Sequence, residues 1–422
     1  MPRFRAFADS RRVNAVTNWL ATVVLLVAAA ALAVAGQRLW PLFALVAVGV
    51  VAVPPARTRD PWVTLPAELV VLVAAPVVTR AAGVTTSVTP FVAVAALALL
   101  VVIDLDAFTS LEMTPGFAVA FVVVTTMAFA GTWAIAEFAA DALLGTSYVG
   151  GQRETNLDLL TATLVGVLAG VAFTAYFREA GRVGYLREAS ATRRVDGVED
   201  ATGTTGTDGA DEEDGVEHSP AYRTAIRALQ LLLVGIVGYS VVVLNGGLFV
   251  NSAVPLALTL LPSAVRRRYG YPMYAGLALL ISLAATLHAV GALGPYSTVG
   301  WYDSVTHALS STLVAGVGYA LAHALELHTD EVSFSPRFRA AFVVLFVLAV
   351  GVLWELLEFG TGVLSAVVGA GDVLAQYGVE DIVYDLVYNT VGALLVALWG
   401  TGLFRQPARV LSAGVGGLFQ RE

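Results

Sequence analysis

Apolar residues run along this chain in blocks close to the length needed to cross about 30 Å of hydrocarbon, roughly 20 residues, and polar residues collect in the gaps between the blocks. The blocks fall near residues 19–36, 39–54, 62–79, 88–105, 114–140 and 156–177. A second series lies near 224–244, 247–262, 271–293, 302–326, 340–364 and 382–404. Backbone inside a bilayer must satisfy its own hydrogen bonds, so runs of this kind predict helices. A transmembrane barrel would instead leave short segments of alternating polarity, and none are found. The expected fold class is therefore all-α: a polytopic transmembrane bundle of about 12 spans in two six-helix halves. The blocks at 39–54 and 247–262 are short, which fits a tilted, re-entrant or merged segment.

Arginine placement predicts orientation, because basic loops stay on the cytoplasmic side. Arg3, Arg5, Arg11 and Arg12 precede the first block, and Arg57 and Arg59 follow the second. Arg178, Arg182, Arg187, Arg193 and Arg194 follow the sixth, and Arg266, Arg267 and Arg268 the eighth. Arg337 and Arg339 precede the eleventh, and Arg405, Arg409 and Arg421 follow the last. With twelve crossings these groups share one side, which predicts a multi-pass protein of the cell membrane with both termini cytoplasmic. Reading the first block as a cleaved signal peptide would spoil this alternation, and the block is longer than an ordinary signal core.

Composition sharpens the picture. Of 422 residues, 57% are hydrophobic and 13% charged, against the quarter or so that a soluble domain carries. There is no cysteine, so disulfides, thiolate metal sites and cysteine nucleophiles are excluded. There is no lysine either; every basic residue is arginine. The net charge of −8, with the acids crowded into loops, suits a salt-adapted protein and argues against nucleic acid as a partner. The expected partners are the lipid bilayer and a lipid or envelope substrate. Residues 178–222 include DGVEDATGTTGTDGADEEDGVEHSP, too polar to bury enough surface to offset its ordering entropy. They predict a disordered acidic cytoplasmic linker between a transmembrane half at 1–177 and another at 223–422. The halves echo one another weakly: GTWAIAEF carries Trp133 and Glu137, GVLWELLEF carries Trp354 and Glu358, and Asp158 and Asp385 open the blocks that follow.

Ionisable residues at membrane depth are expensive, so their positions are informative. In the second half His288 lies near the end of the ninth block, and Asp303 and His307 open the tenth. Glu355 and Glu358 lie late in the eleventh, and Asp381, Asp385 and Asn389 open the twelfth. Spacings of three and four residues put each group on one helix face. Gly392 and Ala393 would let a neighbouring helix approach closely. In the expected topology all these residues sit toward the outer ends of their helices. From Ala340 to Phe404 the sequence has acids but no arginine, lysine or histidine. The carboxylates must then be neutralised by protons, histidinium, a bound cation or water. Imidazole mixed with carboxylate suits zinc, manganese or iron(II), and a carboxylate-only subset suits calcium, magnesium or sodium. Plain helix capping is the competing explanation for Asp303, Asp381 and Asp385.

The strings LHAVGALGPY, WYDSVTHA, LWELLEF and EDIVYDLVYNTVGA resemble, in order, the pattern of the YjdF-type family of uncharacterised membrane proteins. DLVYNTVGALL more distantly resembles the ending of VanZ. The resemblance covers roughly 225–404 and departs from the pattern at Gly378, where YjdF-type proteins carry a further acid. It implies a site built of the same residues and names no reaction. Three functions compete: a metal-dependent enzyme acting on a lipid or envelope molecule, a proton- or sodium-coupled transporter, and a non-catalytic membrane scaffold. In the first, His288, Asp303, His307, Glu358, Asp381 and Asp385 would hold a divalent metal ion, and Glu355 and Glu358 would serve catalysis.

Overall fold

The computed structural model describes residues 11–399 apart from 85–87, 109–114, 181–219, 270–274, 329–335, 370–372 and 375. Among these residues the secondary structure is helical throughout, with no strand. Most of the segment expected to be a linker lies outside the described residues. The helices separate into two compact units.

The first unit holds α1 (Arg11–Val34), α2 (Leu39–Val51), α3 (Val53–Thr58), α4 (Ala67–Ala81), α5 (Thr89–Phe108), α6 (Pro115–Leu144) and α7 (Gln152–Ala180). The second holds α8 (Pro220–Val242), α9 (Gly246–Thr259), α10 (Leu261–Tyr269), α11 (Ala275–Gly291) and α12 (Pro295–Thr298). It continues with α13 (Tyr302–His328), α14 (Pro336–Val368) and α15 (Val379–Trp399). Each apolar block has a helix. Among the described residues nine helical stretches are long and apolar enough to cross a membrane, and α11 and the greater part of α5 form shorter apolar helices.

The two short blocks turn out to be broken helices. In the first unit Pro54 and Pro55 start α3 immediately after α2, so the helical stretch runs on to Thr58. Proline suits the first turn of a new helix and spoils the interior of an old one. In the second unit α9 starts at Asn245, whose side chain accepts the Leu248 N–H at 2.9 Å, and the chain breaks at Leu260 before α10. The block expected from 62 is also shorter than its hydropathy suggests. Asp60 accepts the Trp62 N–H in a tight turn, and the helix begins only after Pro66.

In the second unit α13, α14 and α15 pack against one another, and α11 lies against α13. Leu277, Ala315, Ala320, Val343, Val347 and Ala393 form the apolar core between them. Small residues allow this closeness. Gly392 of α15 sits where a Cβ would overlap the Ser311 hydroxyl and the Ala308 carbonyl of α13. A Cβ on Gly351 of α14 would stand 2.9 Å from Asn389 of α15, and one on Gly318 of α13 would stand 2.7 Å from Phe346 of α14. Each pair in the triangle thus has a glycine at its contact, which is how membrane helices approach without a hydrophobic drive.

Candidate functional site

Helices α13 and α15 present their first turns to the later part of α14. Asp303 and His307 are one turn apart on α13, and Asp385 faces them from α15. His307 Nε2 lies 3.5 Å from Asp303 Oδ1 and 3.3 Å from Asp385 Oδ2. The side chains of Asp303, His307 and Asp385 are 24%, 14% and 4% exposed. One ligand atom from each of the three lies within 4.8 Å of the others. A second group overlaps the first: Glu355, Glu358 and Asp385, all buried, meet the same limit. Asp385 belongs to both.

Each neighbour of this cluster has a traceable hydrogen bond. Trp354 donates its indole N–H to Glu358 Oε1 at 2.9 Å, one helical turn along α14. Gln376, just before α15, donates to Glu355 Oε2 at 2.8 Å. Glu355 is fully buried, and its Oε1 has no hydrogen-bond partner among the described residues. Asp381 accepts the backbone N–H of Tyr377 at 2.8 Å, which caps the start of α15. It also comes within hydrogen-bonding range of Asp303. Gly378, between the two, has φ of 132°, a conformation that residues with a side chain rarely adopt.

His288, of α11, stands in neither group. Asn251 of α9 donates its amide N–H groups to the carbonyls of Gly247 and Val373, so its Oδ1 is left to accept. The His288 Nε2, 3.1 Å from that oxygen, must carry the hydrogen. Nδ1 then accepts from the Tyr296 hydroxyl at 2.9 Å. Burial pushes the Tyr296 phenol well above its usual value, so it remains a donor. The imidazole packs edge-on against Trp354, with ring centroids 5.9 Å apart. His288 therefore braces the tryptophan that holds Glu358, with both ring nitrogens engaged. Gly291 makes room for this: a Cβ there would meet the Tyr296 ring at 2.5 Å.

Of the residues that the sequence pattern singled out, Asp303, His307, Glu355, Glu358 and Asp385 gather at the junction of α13, α14 and α15, while Asp381 caps α15 and His288 stands apart. The pattern did not single out Tyr296, Asn251 or Gln376. A tyrosine after a proline in a loop between spans looks like an interfacial anchor, and neither amide belongs to a recognisable motif. In the first unit Trp133 donates to Glu137 Oε1 at 2.8 Å, the same bond as Trp354 to Glu358. There Glu137 lies in electrostatic range of Arg80, Asp141 and Asp158.

No curated protein and no solved structure matches the chain. Residues 3–64 match the model of a family described as a domain of unknown function (DUF8268). Residues 225–406, which contain the whole cluster, match the model of a family described as Predicted membrane protein (DUF2238), and that match supports a place for this region among uncharacterised membrane proteins.

Proposed function

We propose that the second unit is a membrane-embedded, metal-dependent enzyme whose metal is held by Asp303, His307 and Asp385. The observation that carries this reading is the spacing around His307. Ordinary N–H···O hydrogen bonds run from about 2.7 to 3.2 Å, and the two carboxylates stand at 3.3 and 3.5 Å from Nε2. Two ligands each bonded at about 2.0–2.1 Å to a tetrahedral ion stand about 3.4 Å apart. The atoms are thus spaced as neighbours around a cation rather than as a tight ion pair. An imidazole with two carboxylates suits zinc, manganese or iron(II). Such an ion supplies Lewis acidity and activates water. The nearby glutamates offer a base, and the bilayer around the unit favours a lipid or envelope substrate. The histidine, Asp/His pair, E-x-x-E and D-x-x-x-D order that resembles YjdF-type proteins would be the sequence form of this arrangement. On the arginine topology the cluster faces away from the cytoplasm.

The test is elemental analysis of protein purified in detergent without chelator, with His307→Ala beside the wild type. A transition metal bound by the wild type and reduced in a variant that still inserts supports the reading. No metal in the wild type refutes it and leaves proton or sodium coupling, or helix capping, to explain the carboxylates.

A further inference from the structure

We infer that the unit holds a second cation, bound by Glu355, Glu358 and Asp385, with Asp385 shared between the two ions. This rests on the reading of the His307 group as a metal site. Asp385 offers a ligand atom to both groups. Its Oδ2 faces His307, and its carboxylate has a second oxygen to give. A carboxylate that bridges two ions about 3.5–4 Å apart is the arrangement found in two-metal sites.

An independent observation comes from Glu355. It is fully buried in α14, with one oxygen held by Gln376 and the other, Oε1, without a donor among the described residues. A buried acceptor left bare loses the water it gave up and gains nothing in return. A cation among the three carboxylates supplies what Oε1 lacks. Glu358, the third member, is held in place by the Trp354 indole N–H through its Oε1.

The ligand set names the class of ion. It is all oxygen, with no imidazole and no thiolate, so it suits a hard divalent cation such as magnesium, manganese or calcium. The protein provides no cationic side chain of its own from this part of the chain: residues 340–404 contain no arginine, lysine or histidine.

The experiment is manganese loading of the full-length protein in detergent, with ion counting and electron paramagnetic resonance. Two ions per chain with a spin-coupled signal are expected in the wild type. Glu355→Gln should retain one ion with an uncoupled signal, and Asp385→Asn should lose both. One uncoupled ion in the wild type overturns the second site while leaving the first. No bound ion overturns both readings. Because the wild-type stoichiometry and coupling decide the matter, the proposal stays testable even if a variant fails to fold.

Discussion

Replacing Gly392 by alanine should damage both the packing of the second unit and the proposed metal site. The added methyl has nowhere to go. It overlaps the Ala308 carbonyl, which is helix backbone, and the Ser311 hydroxyl. That hydroxyl is itself held by a hydrogen bond to the same carbonyl at 2.9 Å. The conflict can be relieved only by moving α15 away from α13. Overpacking of this kind costs about 1–3 kcal/mol. For a unit of this size about 2 kcal/mol lowers the melting temperature by roughly 4–8 °C. Gly392 lies two turns beyond Asp385, about 10 Å along the helix, so the same shift draws Asp385 away from His307. The affinity for metal should fall at least tenfold, as it does when a supporting residue of a metal site is lost. Gly235→Ala is the control, because a Cβ on that α8 glycine meets nothing within 4 Å. Thermal melting in detergent and manganese titration of the two variants read both effects. If Gly392→Ala melts and binds metal as Gly235→Ala does, the close crossing of α13 and α15 is refuted.

Trp354→Phe keeps the ring and removes the donor to Glu358; a hydrogen bond to a charged group is worth about 1.5–3 kcal/mol. Manganese affinity should drop about tenfold with insertion intact, and an unchanged titration would count against Glu358 as a ligand. His288→Ala and Tyr296→Phe should leave the metal content of purified protein as it is in the wild type, because both nitrogens of His288 are already engaged. Tyr296→Phe should still lower stability by about 1 kcal/mol through the lost hydrogen bond, seen as a lower melting temperature. Loss of metal in His288→Ala would place that histidine among the ligands. Gly378→Asp should destabilise by about 1–3 kcal/mol because of the positive φ. A variant that melts at the wild-type temperature would contradict the strain.

Much of this architecture was legible in the chain because hydrocarbon imposes a strict rule on it: each long apolar run became a helix. The exceptions were local. Pro54 and Pro55 divide one run into α2 and α3, and the turn at Asp60 delays α4 to Ala67. Helical spacing also put the acids of α13, α14 and α15 on defined faces. Spacing could not say which acids meet. Asp381 and Asp385 are one turn apart in the same motif, yet the first caps its helix and the second lies at the centre of the cluster. Nor could it assign His288, whose partners come from α9 and from the loop after α11 and share no local pattern with it.

The charge balance of the cluster favours cations over capping. Helix N-termini attract anions, and α13 and α15 both begin here, which is why Asp303 and Asp381 sit in first turns. Each N-terminus acts as roughly half a positive charge, so the two together offset about one carboxylate. Asp381 accounts for that one through its bond to the Tyr377 N–H. Asp303, Asp385, Glu355 and Glu358 remain, and the last two lie deep in α14, far from either of its ends. His307 offers at most one charge, and only when protonated. Two divalent ions supply four, matching the four carboxylates. Protonation would also neutralise them, since Asp303 lies within hydrogen-bonding range of Asp381 and Asp385, and metal loading of the purified protein separates the two accounts. The separations of 3.5 and 3.3 Å from the His307 nitrogen are those expected of neighbouring ligands around an ion.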